Sequence, residues 1–307
     1  MMTRDVHVLP TLEQLSVHAA EAVARIINSA VAAQGRCSLA LAGGQTPRDL
    51  YRVLAENYRD GVRWPQVHIF WGDERLVPAV DARRNDRMAR EMLLRHVPCP
   101  ESQIHPMASN AMPEDVAARE YEDTMRRYFG SGRPRFDLVL LGLGAEGHTA
   151  SLFPNSPALD EREHWVCAVT VPADPPARLT LTLPVFSQAA NVFFLVSGAE
   201  KRRALRMALG DGTNPRACPA AGVKPIDGRT AWWVDADAAE DHTMKHTDDN
   251  DIHKGAVEGT DRDPVVPINP IGAVFEDSEV ANADEQGHTS DAPRDEVETL
   301  GERNGRS

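Results

Sequence analysis

The sequence predicts an α/β fold: a Rossmann-like, doubly wound, mostly parallel sheet in a single domain, followed by a disordered C-terminal tail. Three observations carry that expectation. Short apolar runs alternate with amphipathic segments of helical length from Cys37 to Val234, the pattern of strands covered on both faces by crossover helices. Several of these runs end in glycine-rich or charged turns, at the strand ends where open α/β sheets hold ligands. The charge is also divided: of a net −13 over 307 residues, residues 241–307 carry 17 Asp and Glu against 6 Lys and Arg, leaving 29 against 27 in residues 1–240. The tail has Phe275 as its only aromatic residue and cannot bury enough apolar surface to offset the entropy of ordering.

The first predicted element is a helix. Thr11 is placed to cap it, with Gln14 completing a capping box; Leu12, Leu15, Ala19, Val23, Ile26 and Ala30 then recur at helical spacing, and Gly35 closes it. Cys37 to Leu41 reads as a strand running into Gly43-Gly44-Gln45-Thr46-Pro47. In this stretch Thr46 is expected to cap a second helix with Pro47 at its first position. Free amides and the positive helix end there suit a phosphate, although an ordinary strand-to-helix turn has the same composition. Val67 to Phe70 is the next strand and leads into Trp71-Gly72-Asp73-Glu74-Arg75, read as a charged loop at the ligand edge or as a surface ion pair. Helices are expected over 83–96, with Asn85 near the start, and over 114–128.

The stretch Leu138 to Pro154 organises the rest. Leu138 to Leu141 is a short apolar strand, and Gly142, Gly144 and Gly147 bring the backbone into a tight turn that presents His148. An imidazole at a strand's carboxyl end exchanges a proton near neutral pH, unless it is simply a hydrogen-bonded core histidine. Gly142-x-Gly144-x-x-Gly147 also fits a dinucleotide fingerprint, but that motif opens a long helix and is followed about 20 residues later by an acid at the next strand's end. Here Pro154 and Pro157 stop any helix early, and Asp174 comes only after Pro172. Strands follow over 165–171, 179–183, 192–196 and 231–234, with Arg178 at the start of one and Ser197-Gly198-Ala199-Glu200-Lys201 at the end of another. The alternation of Leu179, Leu181 and Leu183 with Thr180 and Thr182 predicts one covered face.

Composition excludes several classes. Cys37, Cys99, Cys167 and Cys218 lack the paired spacing of a zinc or redox site. No stretch reaches the ~18 apolar residues of a membrane span, the N-terminus with Arg4 and Asp5 has no apolar run long enough for a signal peptide, and a cytoplasmic location is expected. A nearly neutral body without basic clusters argues against nucleic acid as a partner. What remains is acid–base chemistry on a small anionic substrate.

The motifs resemble one family. Gly43-Gly44-Gln45-Thr46-Pro47, Trp71-Gly72-Asp73-Glu74-Arg75, the block Gly142 to Pro154, Arg178-Leu179-Thr180-Leu181-Thr182 and Gly198-Ala199-Glu200-Lys201 occur in the order and approximate spacing of the bacterial 6-phosphogluconolactonases, over residues 5–240. The resemblance implies hydrolysis of a phosphorylated sugar lactone without a required cofactor. It makes His148 the general base, lets Asp73 and Arg75 line the site, and gives the phosphate to Gly43, Gly44, Thr46, Arg178 and Lys201. Gln45 stands where that family often has serine or arginine, and Glu146 where aspartate is usual. Two alternatives are a glucosamine-6-phosphate deaminase, in which the histidine is followed five residues on by a catalytic glutamate where this chain has Phe153, and a non-catalytic sugar-phosphate sensor.

Overall fold

The computed structural model describes residues 5–107 and 112–239; the acidic tail read from the sequence over 241–307 lies outside the described residues. The chain begins with strand β1 (Asp5–Leu9), which the sequence reading missed. Helix α1 (Leu12–Gln34) starts as expected, with the Thr11 side chain accepting from the Gln14 amide at 3.2 Å, and ends at Gly35 in the left-handed conformation. Strand β2 (Cys37–Leu41) is wholly buried. Helix α2 (Gln45–Asn57), strand β3 (Val67–Trp71) and a short strand β4 (Asp73–Arg75) follow. Helix α3 (Asn85–Ala89) continues through a π-helical turn over Arg90–Leu94. Then come α4 (Glu114–Phe129), β5 (Leu138–Gly142), β6 (Val166–Thr170) and β7 (Ala177–Leu181). The remaining elements are α5 (Leu183–Gln188), β8 (Asn191–Val196), α6 (Arg202–Leu209), β9 (Arg229–Asp235) and α7 (Ala236–Ala239).

Six strands form a parallel sheet in the order β1-β9-β8-β5-β2-β3. Its inner strands are buried apolar runs, Leu138–Leu141 among them, because helices cover both faces of such a sheet. The edge strand β1 is mostly exposed, so its alternation of Val6 and Val8 with Asp5 and His7 gives a weak signal. At the other edge, residues 104–105 cover β3: the His105 amide donates to the Ile69 carbonyl at 2.8 Å. His105 Nε2 also lies 3.2 Å from His68 Nδ1, and burial, with His68 and Arg127 nearby, holds the His105 imidazole down at about 4.

Three runs expected to extend the parallel sheet, or to form a loop, instead make a second sheet in the order β4-β7-β6, with antiparallel pairing. Between β6 and β7 there are only residues 171–176, too few for the dozen or more that a parallel crossover needs. Both faces of β7 are covered, since Thr180 and Thr182 are as buried as Leu179 and Leu181; the single covered face expected from their alternation is thereby corrected. Gly72 joins the two sheets, donating its amide to Leu41 at 3.0 Å and accepting from the Leu181 amide at 2.8 Å.

Candidate active site

The carboxyl ends of β2, β3, β5 and β8 open onto one cavity of about 490 Å³. The strand β2 is followed in the sheet by β3 on one side, whereas β5 is followed by β8 and β9 on the other. The reversal between β2 and β5 is the switch point at which open α/β sheets hold ligands. All eight residues singled out in the sequence, His148, Asp73, Arg75, Gly43, Gly44, Thr46, Arg178 and Lys201, line this cavity.

The loop after β2 supplies its amide-rich wall. Gly44, at φ 97°, is the N-cap of α2, and the helix begins at Gln45. Thr46 therefore lies inside the first turn and is not the cap that the sequence suggested. A left-handed glycine lets the chain become helical before Thr46 is reached, and Pro47 fits the first turn because its missing N–H is not needed there. The helix start keeps its anion-binding character, since no side chain caps its amides.

The charged stretch after β3 is a strand, so its side chains alternate. Asp73 and Arg75 line the cavity while Glu74 is fully buried elsewhere. Glu74 accepts from the amides of Arg75 at 2.7 Å, Asn85 at 2.8 Å and Asp86 at 2.8 Å, with Arg84 at 3.6 Å. Burial pushes its carboxyl up to about 7, against the pull of Arg84 and the Asn85 and Asp86 amides. Asp73 is also nearly enclosed: its Oδ2 accepts from Ser151 Oγ at 2.6 Å and its Oδ1 from Asn85 Nδ2 at 3.2 Å. Arg75 stands opposite Arg178 in the β4–β7 pairing. The Arg75 guanidinium donates to the Arg83 carbonyl, and Arg178 Nε donates to the Pro175 carbonyl at 2.8 Å. Burial, and then Arg75, lower the pKa of Arg178. Two like charges held opposite each other repel, and an anion between them relieves that repulsion.

The turn after β5 is built around the histidine. The Gly144 amide donates to the His148 carbonyl at 2.8 Å, and a Cβ on Gly144 would fall 2.0 Å from His148 Nδ1. Only glycine lets the ring lie there. The Phe153 ring stacks on the imidazole at 4.1 Å between centroids. Glu146 Oε1 is 3.0 Å from Nδ1, but off the hydrogen-bonding direction, leaving Nδ1 without a hydrogen-bond partner among the described residues. Burial pushes the Glu146 carboxyl up, but its own amide, His148 and Lys201 outweigh burial and hold it below the usual range. No long helix follows the glycines, as Pro154 and Pro157 foretold. At the far side Lys201 follows β8, with Nζ 3.8 Å from Glu200.

Two residues that build the site escaped the sequence reading. Ser151 sits inside the histidine block and holds Asp73, and Asn85 at the start of α3 holds Asp73 from the other side, through its carbonyl at 2.9 Å as well as its carboxylate. Gly43 was the available signal for Asn85, because a Cβ there would meet Asn85 Oδ1 at 1.8 Å. Among the described residues no group of three His, Cys, Asp or Glu is arranged for a metal ion, and no helix is long and apolar enough to cross a membrane.

Fold and cavity define an open α/β protein with a histidine- and cation-lined cavity at the switch point of its sheet. The sequence profile of the glucosamine-6-phosphate isomerases/6-phosphogluconolactonase family matches residues 10–232, and the chain belongs to that family. It is 41% identical over 245 residues to the 6-phosphogluconolactonase of Mycobacterium tuberculosis, covering 78% of this chain and 98% of that one. It is 39% identical over 242 residues to the 6-phosphogluconolactonase of Synechocystis, with the same coverage. The solved structure of the 6-phosphogluconolactonase of Trypanosoma brucei superposes with a TM-score of 0.68 at 29% identity, over 78% of this chain and 99% of that chain. A monomeric glucosamine-6-phosphate deaminase shares the fold at 22% identity, with a TM-score of 0.64.

Proposed function

We propose that the chain hydrolyses 6-phospho-D-glucono-1,5-lactone to 6-phospho-D-gluconate, as a cytoplasmic carboxylic ester hydrolase of the oxidative pentose phosphate pathway. One observation carries the reading: three loops and the paired strands β4 and β7 bring a histidine, a held carboxylate, two facing arginines, a lysine and an uncapped helix start onto one cavity. The catalytic domain is assigned to residues 1–240, in keeping with a family match that ends at residue 232.

In this reading His148 takes a proton from a water as its oxygen attacks the lactone carbonyl. Negative charge gathers on the carbonyl oxygen, where Arg75 and the amides of the glycine turn stabilise it. Collapse of the tetrahedral intermediate breaks the bond to the ring oxygen, which takes the proton back from His148. Such general acid–base help is worth roughly 10² to 10⁴ in rate. Asp73, held by Ser151 and Asn85, orients its neighbours. Gly43, Gly44, Thr46, Arg178 and Lys201 bind the phosphate, remote from the bond that breaks. A deaminase needs a further carboxylate near the histidine; at the corresponding position Phe153 lies flat on the ring, which disfavours that alternative.

The test follows proton release as fresh lactone is supplied by glucose-6-phosphate dehydrogenase, with spontaneous hydrolysis subtracted. The wild type accelerates release, His148→Ala loses roughly 10² to 10⁴ of kcat with an unchanged melting temperature, and glucosamine 6-phosphate yields no ammonia. Nearly full kcat in His148→Ala, or ammonia at a comparable rate, overturns the proposal.

A further inference from the structure

The cavity contains a buried acceptor that the chemistry above leaves unused. Asn85 is 1% exposed and lines the cavity. Its amide orientation is fixed by its surroundings. Nδ2 faces two acceptors, the carbonyl of Asp73 at 2.9 Å and its Oδ1 at 3.2 Å, and a flipped amide would set oxygen against oxygen in both places. Oδ1 therefore points the other way, where it has no hydrogen-bond partner among the described residues.

The site preserves that arrangement on two sides. The Asn85 backbone is anchored by its amide to Glu74 Oε1 at 2.8 Å, and the side chain cannot withdraw without breaking the Nδ2 bonds to Asp73. Against Oδ1 lies Gly43, whose φ is outside the left-handed region. Glycine is required there for room, as a Cβ would come within 1.8 Å of Oδ1.

A buried acceptor without a partner is costly, and the residue that carries it lines the cavity beside Gly43. The carbonyl oxygen accepts hydrogen bonds and donates none, so its partner must be a donor. The ionised phosphate is itself an acceptor and is excluded. On the lactonase reading, the donors left on the substrate are the ring hydroxyls. We propose that Asn85 Oδ1 accepts a hydrogen bond from one hydroxyl of the sugar ring, making Asn85 a specificity-determining residue that selects hydroxylated lactones over deoxygenated ones.

The inference rests on the lactonase reading, and the experiment separates the two. kcat/KM is measured for wild type and Asn85→Ala on 6-phosphogluconolactone and its 2-, 3- and 4-deoxy analogues, each corrected for spontaneous hydrolysis. The expected result is a loss of roughly 10- to 100-fold for Asn85→Ala on the parent lactone and a similar loss for wild type on one deoxy analogue. On that analogue the gap between wild type and variant narrows by the share the hydroxyl contact carried, leaving only the loss that comes from the Asp73 contacts of Nδ2. Gly43→Ala, whose methyl displaces the Asn85 side chain, should follow Asn85→Ala. A uniform loss on all four lactones, as a structural or water-holding role would give, overturns the inference while leaving lactone hydrolysis intact, as does the absence of any loss. Should Asn85→Ala fail to fold, the wild-type series still decides: equal kcat/KM on all four lactones overturns the assignment. A wild type inactive on every lactone overturns the underlying activity instead.

Discussion

The two sheets of this molecule are built on opposite plans. The six-stranded sheet is apolar through its inner strands, with Leu39, Leu140 and Phe194 fully buried. The three-stranded sheet buries Asp73, Glu74, Arg178 and Thr180, each held by hydrogen bonds or facing the cavity. Apolar burial is non-directional and tolerates substitutions of similar volume. Buried polar groups act at fixed distances and angles, and each leaves an expensive orphan when its partner is removed. The larger sheet thus supplies stability, and the smaller one converts part of it into position.

The sharpest way to break this contrast is to delete one side chain from each sheet. Glu74→Ala leaves the Arg75, Asn85 and Asp86 amides without their acceptor and removes the opposite charge beside the buried Arg84 guanidinium. It should cost ~3–5 kcal/mol in denaturant unfolding. The surviving folded enzyme should also lose about tenfold or more in kcat/KM, because Asn85 and Asp73 move. Leu39→Ala should cost a comparable ~2–5 kcal/mol but leave kcat/KM within roughly threefold, since Leu39 does not line the cavity. Equal kinetic damage from both would abolish the distinction.

A smaller effect is expected at the anion end. Arg178→Ala and Lys201→Ala should each raise KM by roughly 10- to 100-fold, the worth of a hydrogen bond to a charged group, with less change in kcat, because the phosphate is held alike in ground and transition states. Wild-type kinetics in both variants would remove these cations from the site.

An effect confined to acid pH lies at the covered edge of the large sheet. The folded chain keeps His105 neutral down to about pH 4, whereas an unfolded histidine takes a proton near 6.5. Its contribution to stability is therefore present above pH 6.5 and lost as the pH falls towards 4. The melting temperature of His105→Asn should fall less than that of wild type between pH 6.5 and 4. An identical slope would mean that His105 does not titrate differently on folding.

The same contrast explains what was legible in the sequence. An apolar strand announces itself, so Cys37 to Leu41, Val67 to Phe70, Leu138 to Leu141 and Val192 to Val196 were readable as runs. Glycine turns were readable as well, which is why the residues expected to meet at the site share one cavity. The small sheet was not. Three charges in a row at Asp73 to Arg75 look like a loop until the buried partners Asn85, Arg84 and Ser151 are known, and those come from distant positions in the chain. Asn85 was hidden because asparagine at a helix start has a sufficient local explanation. Its second role depends on Gly43, more than forty residues earlier.

The parallel pairing of β1 with β9, Asp5 beside Ala231, also bears on how the protein is made. Synthesis proceeds at ~5–20 residues per second, so the N-terminal strand waits roughly ten seconds or more for its partner. Throughout that interval its unpaired backbone groups are a template for other chains. A chain interrupted before β9 retains that free edge, and loses with it the Asp235 carboxylate that binds the Gly198 amide at 3.1 Å. Completion of the sheet and completion of the loop beside Lys201 are thus a single late event.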